Sequence, residues 1–162
     1  MNHLFATWRM EYITAPKHEG CFFCDFPAEN RDEEHHILHR GKSCFVILNL
    51  YPYNPGHMMI APYRHTNLYE SLTAEEHTDM NLLTCRAIRV LKCAIEPEGF
   101  NMGMNLGKPA GAGVDGHLHM HLVPRWNGDN NFMPVLADTR VVPEAMDATY
   151  RKLRTAWSEP DA

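Results

Sequence analysis

The stretch His117-Leu118-His119-Met120-His121-Leu122-Val123-Pro124 constrains this chain more than any other. Side chains on an extended strand alternate between faces, so this spacing sets His117, His119 and His121 in one row and turns Leu118, Met120 and Leu122 toward a core. Like-facing residues on a strand stand roughly 6–7 Å apart, so the three imidazoles look together into a site or into solvent. They can ligate a metal, supply a nucleophile with its acid/base partner, or be surface polar residues. A glycine-rich run immediately before them favours a site.

At 162 residues with 44% hydrophobic content the chain has enough apolar material for one domain with a proper core. The net charge of −5 comes from acidic and basic residues spread along the chain, which excludes a dedicated nucleic-acid surface. A small substrate or another protein is the expected partner. No apolar run approaches the roughly 20 residues that span a bilayer, and the N-terminus lacks a basic segment followed by an apolar one. A cytoplasmic protein without membrane association is expected. Five cysteines fit a disulfide framework poorly. Cys44 falls in a predicted strand, and Cys85 and Cys93 in a predicted helix, where buried thiols behave as small hydrophobes.

The pattern along the chain predicts one domain: an arm over residues 1–20, a core over about 21–135 and a C-terminal helix over about 143–157. Residues 25–36 are polar and turn-prone and read as a solvated loop. His39 to Gly41 reads as a turn, Ser43 to Leu48 as a strand, Asn49 to His57 as a proline-containing loop and Met58 to Ala61 as a second, antiparallel strand. Thr73 and Glu76 have capping-box spacing ahead of Met80, Leu83, Ala87, Val90, Leu91 and Ala94, which predicts a long helix ending near Glu96-Pro97. Phe100 to Asn105 alternates again, placing Phe100, Met102 and Met104 on one face of a third strand. Arg125 to Asn131 reads as an exposed loop. After Pro143, Met146, Tyr150, Leu153 and Trp157 share a helical face. Successive strands interrupted by one long helix indicate an α+β fold with a mostly antiparallel sheet.

Between the third strand and the histidines runs Asn105-Leu106-Gly107-Lys108-Pro109-Ala110-Gly111-Ala112-Gly113. Glycines allow close backbone approach to an anion, and successive N–H groups form an anion-binding nest, so a phosphate seat beside imidazoles is expected. The run is not a Walker loop, because it lacks the Gly-Lys-Ser/Thr ending and opens a strand.

With these residues in view, the chain resembles the histidine-triad (HIT) superfamily, whose motif His-φ-His-φ-His-φ-φ is matched at 117–123. The resemblance extends upstream through Phe45-Val46-Ile47-Leu48-Asn49, Asn54-Pro55-Gly56-His57-Met58-Met59-Ile60-Ala61-Pro62 and Arg64-His65. Trp8-Arg9-Met10-Glu11-Tyr12, Cys21-Phe22-Phe23-Cys24, Pro124-Arg125-Trp126 and Asn131-Phe132-Met133-Pro134 look most like a bacterial branch of diadenosine tetraphosphate phosphorylases and hydrolases. The resemblance implies an α+β domain that pairs into a homodimer, and nucleotidyl transfer from a dinucleoside polyphosphate through a covalent histidine intermediate. It implies His119 as nucleophile, His121 as phosphate contact and aid to the leaving group, and His57 lining the same site. Asn49 would bind ribose, and Asn105 with the backbone of Ala112 and Gly113 would hold phosphate oxygens. Imidazole suits this chemistry, being nucleophilic near neutral pH once a hydrogen bond to its other nitrogen fixes the tautomer. Many relatives carry Gln or Ser four residues before the first triad histidine, where Gly113 offers only its N–H.

Cys21-x-x-Cys24 has the spacing that wraps two thiolates round one tetrahedral zinc, and is half of such a site. In zinc-binding branches of the family the remaining ligands resemble His65, in Pro62-x-x-His65, and the first triad residue, His117. A closed Cys2His2 zinc would be structural; no organic cofactor is expected. A redox role for the cysteines lacks the βαβ context it needs. His3, His18, His35, His36, His39 and His77 read as solvated. Three alternatives stay open beside the leading one: a nucleoside phosphoramidate hydrolase, a nucleotide-binding sensor without catalysis, and a metal site made of His117, His119 and His121 together.

Overall fold

A computed structural model of the chain describes residues 20–129 and 144–159. The predicted arm, up to residue 19, and the segment 130–143, with Asn131-Phe132-Met133-Pro134 and the Pro143 helix start, lie outside the described residues.

Five strands form one sheet in the order β1-β2-β3-β5-β4: β1 (Ile37–Arg40), β2 (Cys44–Leu48), β3 (Met58–Pro62), β4 (Gly99–Gly103) and β5 (Met120–Arg125). Every neighbouring pair is antiparallel, so the α+β expectation holds. Helix α1 (Phe22–Glu29) lies before the sheet, α2 (Ala74–Ile95) between β3 and β4, and α3 (Met146–Trp157) at the end. Among the described residues no helix is long and apolar enough to cross a membrane.

The central strands β2 and β3 are buried along their whole length, because both faces of the sheet are covered. On one face Cys44, Val46, Leu48, Met58, Ile60 and Leu122 pack under α2 and α3 through Met80, Leu83, Leu91, Tyr150, Leu153 and Trp157. On the other, Ile37, Phe45, Ile47, Met59 and Ala61 form a smaller core with Phe23 of α1, flanked by Phe22, Phe26 and Val114. Leu118 and Leu122 enter the larger core with Met120 packed against it, as the alternation requires. Helix α2 starts at a capping box in which Thr73 accepts from the Glu76 N–H and the Glu76 side chain accepts from the Thr73 N–H. It stops at Glu96 in a left-handed conformation, one residue before Pro97.

Four local expectations need correction. Of the loop expected over 25–36, residues 25–29 are helical, belonging to α1: Cys21 opens this helix, its carbonyl accepting from the N–H groups of Cys24 and Asp25. The signal was masked by Pro27 in the last turn and by the polar residues after it. His39 and Arg40, expected in a turn from His39 to Gly41, belong to β1, which pairs to β2 across an irregular register. Cys85 and Cys93 are exposed on α2, not buried. His35, His36, His39 and His77 are half-buried rather than solvated: His35 stacks on Phe26, and His39 on Trp157.

Candidate functional site

The histidine row begins outside regular secondary structure and enters the sheet only at Met120. The reason is its company: Leu118 donates its N–H to the Thr66 carbonyl (2.6 Å), outside the ladder that starts at the Ile60–Met120 pair. His117 and His119 are buried, and His121 is half-buried. All three stand on the face covered by α1, where the Phe23 ring lies 5.2 Å from His117 and 4.8 Å from His119 between centroids. Sequence reasoning missed Phe23 as a wall of the site. Its place inside Cys21-x-x-Cys24 was the available signal.

Hydrogen-bond partners fix which nitrogen of each ring carries the proton, because a carbonyl only accepts and a backbone N–H only donates. His117 donates Nε2–H to the Pro62 carbonyl (2.8 Å), which leaves its Nδ1 as a lone pair. His119 donates Nδ1–H to the His117 carbonyl (2.8 Å), which leaves its Nε2 as the nucleophilic atom. His57 accepts the Tyr53 N–H at Nδ1 (3.1 Å), so its Nε2–H donates to His121 Nδ1 (3.0 Å). The remaining His121 nitrogen, Nε2, is therefore a donor. His57 is buried, with the Tyr53 ring 4.8 Å away and Asn49 Nδ2 at 3.4 Å from its Nδ1. Gly56 makes this possible: it closes the turn into His57 at φ +77, where a Cβ would meet Ile95 at 2.8 Å.

Burial lowers the pKa of His117, His119 and His121, the last to about 4 with a smaller contribution from His119. All three imidazoles are thus neutral at pH 7.

The lone pair of His117 Nδ1 points at the cysteines, 3.3 Å from Cys21 Sγ and 3.5 Å from Cys24 Sγ, while His65 Nδ1 lies 3.3 Å from Cys24 Sγ. Ligand atoms of Cys21, Cys24, His65 and His117 all fall within 4.8 Å of one another. Zinc bonds of about 2.3 Å to sulfur and 2.0–2.1 Å to nitrogen at tetrahedral angles put ligand atoms about 3.3–3.8 Å apart. These four residues could therefore hold a metal, and the Pro62 carbonyl is the outer hydrogen bond that a ligating histidine needs. Burial, then the neighbouring Cys21, pushes the Cys24 thiol up to about 11, an environment that a divalent cation would offset. The alternative metal site is not assembled: His117 turns to the cysteines, and the Nδ1 of His119 is spent on a carbonyl.

Of the remaining predicted residues, Asn105 lines a cavity with His121, at the start of the loop that carries a 3-10 turn at Lys108–Ala110. Its Nδ2 lies 3.4 Å from the Gly111 carbonyl across that loop. Ala112 is half-buried and Gly113 exposed in the same loop as it returns to His117. Asn49 lines a different, smaller cavity with His57, Leu48, Leu50 and Met146, and its Oδ1 accepts the Tyr51 N–H (2.9 Å).

Comparison with known proteins agrees with this geometry. The family model "HIT domain" matches residues 30–128. An "AP-4-A phosphorylase" of Mycobacterium tuberculosis is 40% identical over 166 residues, covering 98% of this chain and 85% of that protein. A "Bis(5'-adenosyl)-triphosphatase" of Dictyostelium discoideum is 36% identical over 81 residues, 50% of this chain and 54% of that one. Among solved structures, a Zn-bound histidine triad family protein from Mycobacterium smegmatis aligns with TM-score 0.69 and 26% identity, covering 86% of this chain and 94% of that one. This chain belongs to the HIT domain family.

Proposed function

We propose that this protein is an enzyme of dinucleoside polyphosphate breakdown, a diadenosine tetraphosphate phosphorylase acting through a nucleotidylated His119. The observation that carries the reading is the hydrogen-bond pattern of two rings 4.7 Å apart between centroids, His119 Nδ1 on the His117 carbonyl and His121 Nδ1 on His57 Nε2, which assigns an unprotonated Nε2 to His119 and a protonated Nε2 to His121. The names of the relatives, a phosphorylase and a triphosphatase, support the substrate class.

The Nε2 lone pair of His119 attacks the α-phosphorus, the bond from that phosphorus to the bridging oxygen breaks, and the polyphosphate chain departs with the electron pair. A polyphosphate leaves as a stable anion, so a hydrogen bond from His121 Nε2–H to the bridging oxygen is sufficient help. The adenylylated ring gains positive charge, which the His117 carbonyl stabilises through Nδ1–H. Asn105 and the Ala112 and Gly113 backbone would hold the non-bridging oxygens, and Asn49 the ribose.

In the second step an acceptor oxygen attacks phosphorus and the P–N bond returns its electrons to His119 Nε2. Orthophosphate is already an anion and attacks without losing a proton, giving ADP. Water would have to lose one, and the Nδ1 lone pair of His121 already accepts from His57. The arrangement therefore favours orthophosphate.

Zinc held by Cys21, Cys24, His65 and His117 would be structural. It would pin the start of α1 to the segment carrying the nucleophile and leave His119 outside its ligand set. We also propose the homodimer: edge strand β4 with Met102 exposed, and Leu82 exposed on α2, support it, and sedimentation would measure it.

The test is product analysis with diadenosine tetraphosphate, with and without orthophosphate. ADP plus ATP formed only with orthophosphate is the expected result, and AMP plus ATP without it would make the protein a hydrolase. Loss of turnover in folded His119→Ala is expected; turnover retained in that variant would refute the nucleophile. No turnover by wild type would bring forward the phosphoramidate hydrolase or the sensor.

A further inference from the structure

We infer that the cavity beside His121 receives the phosphate chain on the far side of the scissile bond, with Arg125 and Asn101 holding its distal phosphates. This rests on the nucleotidyl-transfer reading above and adds a subsite to it.

The cavity, of about 470 Å³, lies between β5 and the edge strand β4, with Tyr53 and Asn54 at one side and Asn105 beyond. Register places its lining: Gly103 is opposite His121 and Asn101 opposite Val123, so these residues share the histidine face of the sheet. Gly103 leaves the floor open, since a Cβ there would meet nothing within 4 Å. The donor nitrogen of His121, Nε2, belongs to a ring that lines this space.

Two further donors are set in place along the same face. Arg125 follows His121 by four strand residues, about 13 Å of backbone, so only a ligand that extends beyond its first phosphate meets both. Its guanidinium is clamped by Asp129, with Nε to Oδ2 at 2.5 Å and Nη2 to Oδ1 at 2.8 Å, and its Nη1 donates to Asn101 Oδ1 at 2.5 Å. A guanidinium has five N–H groups, so these bonds orient it and leave two uncommitted. Asn101, with its carbonyl oxygen engaged, keeps its amide NH2 as a donor. Asp129 is almost buried and is also supplied by Asn54 Nδ2 (2.7 Å) and the Trp126 N–H (3.2 Å). It therefore acts as the clamp, behind the arginine. In a chain of net charge −5, this cavity has no carboxylate among its described lining residues. Oriented amide and guanidinium donors, the guanidinium backed by Asp129, are the chemistry of phosphate recognition.

The experiment compares wild type, Arg125→Gln, Asn101→Ala and Gly103→Val in the full chain. The kcat/KM ratio is measured for diadenosine tetraphosphate over adenosine 5′-phosphoramidate, whose leaving group carries no phosphate. Binding of inorganic tripolyphosphate is measured by calorimetry, which needs no turnover. Loss of a charge-assisted contact predicts a fall of about tenfold or more in both the ratio and the tripolyphosphate affinity for Arg125→Gln. Smaller falls are expected for Asn101→Ala, and weaker tripolyphosphate binding for Gly103→Val, which fills the floor. A ratio and an affinity unchanged within about twofold, or equal losses on both substrates at unchanged tripolyphosphate affinity, would overturn the inference. Asn101 is exposed on an edge strand, so its variant reads the subsite even if Arg125→Gln unsettles the Asp129 clamp. Wild type that binds tripolyphosphate through Arg125 but turns over neither substrate would remove the nucleotidyl-transfer reading while leaving a polyphosphate site.

Discussion

Replacing Arg64 by alanine tests how the fold holds the metal-ligand segment in place. Arg64 lies between Pro62, whose carbonyl takes the His117 Nε2–H, and His65 with Thr66, whose carbonyl takes the Leu118 N–H. Its Nε and Nη2 bond Glu76 at 2.9 and 2.8 Å, and Nη2 also reaches the Ser71 carbonyl at 2.9 Å. Glu76 is only 6% exposed, so Arg64→Ala strands a buried carboxylate with only Thr73 among its described partners. Stranding such a group costs several kcal/mol when fully buried; discounting for the half-exposed arginine leaves about 2–3 kcal/mol. For a chain of this length that lowers Tm by about 5–10 °C. The penalty depends on pH. Arg64 is the largest cause that holds Glu76 down to about 2 from the ordinary 4.5. A depressed carboxylate contributes stability that is whole above 4.5 and is lost as pH falls toward 2. The gap between wild type and variant is therefore wide at pH 7 and narrows toward pH 3. Urea melts at both pH values measure it. A difference under about 0.5 kcal/mol at pH 7, or a gap that stays constant down to pH 3, would refute the reasoning.

Purified protein is expected to carry one zinc per chain by elemental analysis, and Cys24→Ser to lose it along with thermal stability while the His119 nucleophile stays in sequence; full metal content in the variant would contradict the four-ligand site. Burial holds His121 down to about 4, so its neutral ring contributes stability that is whole above the ordinary 6.5 and is lost as pH falls toward 4. His121→Gln should flatten the stability–pH curve in that window, and should reduce kcat by about 10²-fold or more as the hydrogen bond to the leaving oxygen disappears. His57→Ala frees His121 Nδ1 to take a proton and should move the pH profile of kcat; an unchanged profile would mean that His57 does not set the tautomer of His121.

The parts of this molecule legible in the sequence are those written as local periodicity or as spacing. The Thr73 capping box, the apolar stripe of α2, the Tyr150-Leu153-Trp157 face of α3 and the alternation at Leu118, Met120 and Leu122 each follow from one element's own pattern. Helix α1 was hidden because Pro27 and the acidic run after it read as loop, whereas its first turn is nucleated by the Cys21 carbonyl and its Phe23 face is secured by the sheet. Strand β1 was hidden because four residues carry too little pattern, and its identity comes from pairing with β2. In the site, residue types and spacing marked the histidines and the cysteines. The tautomers depend on the Pro62 and His117 carbonyls and the Tyr53 N–H, backbone groups that any residue supplies and no side chain announces. The Asp129 clamp joins residues from three separate segments, so its role is set by tertiary structure.

The nucleophile is tested most directly by trapping the intermediate. Wild-type protein mixed with diadenosine tetraphosphate in the absence of orthophosphate, quenched at alkaline pH and examined by mass spectrometry, should carry one adenylyl group on His119. Added orthophosphate should discharge it as ADP, and His119→Ala should carry none. An adduct on another residue, or full turnover with no histidine adduct at any time after mixing, would contradict the account.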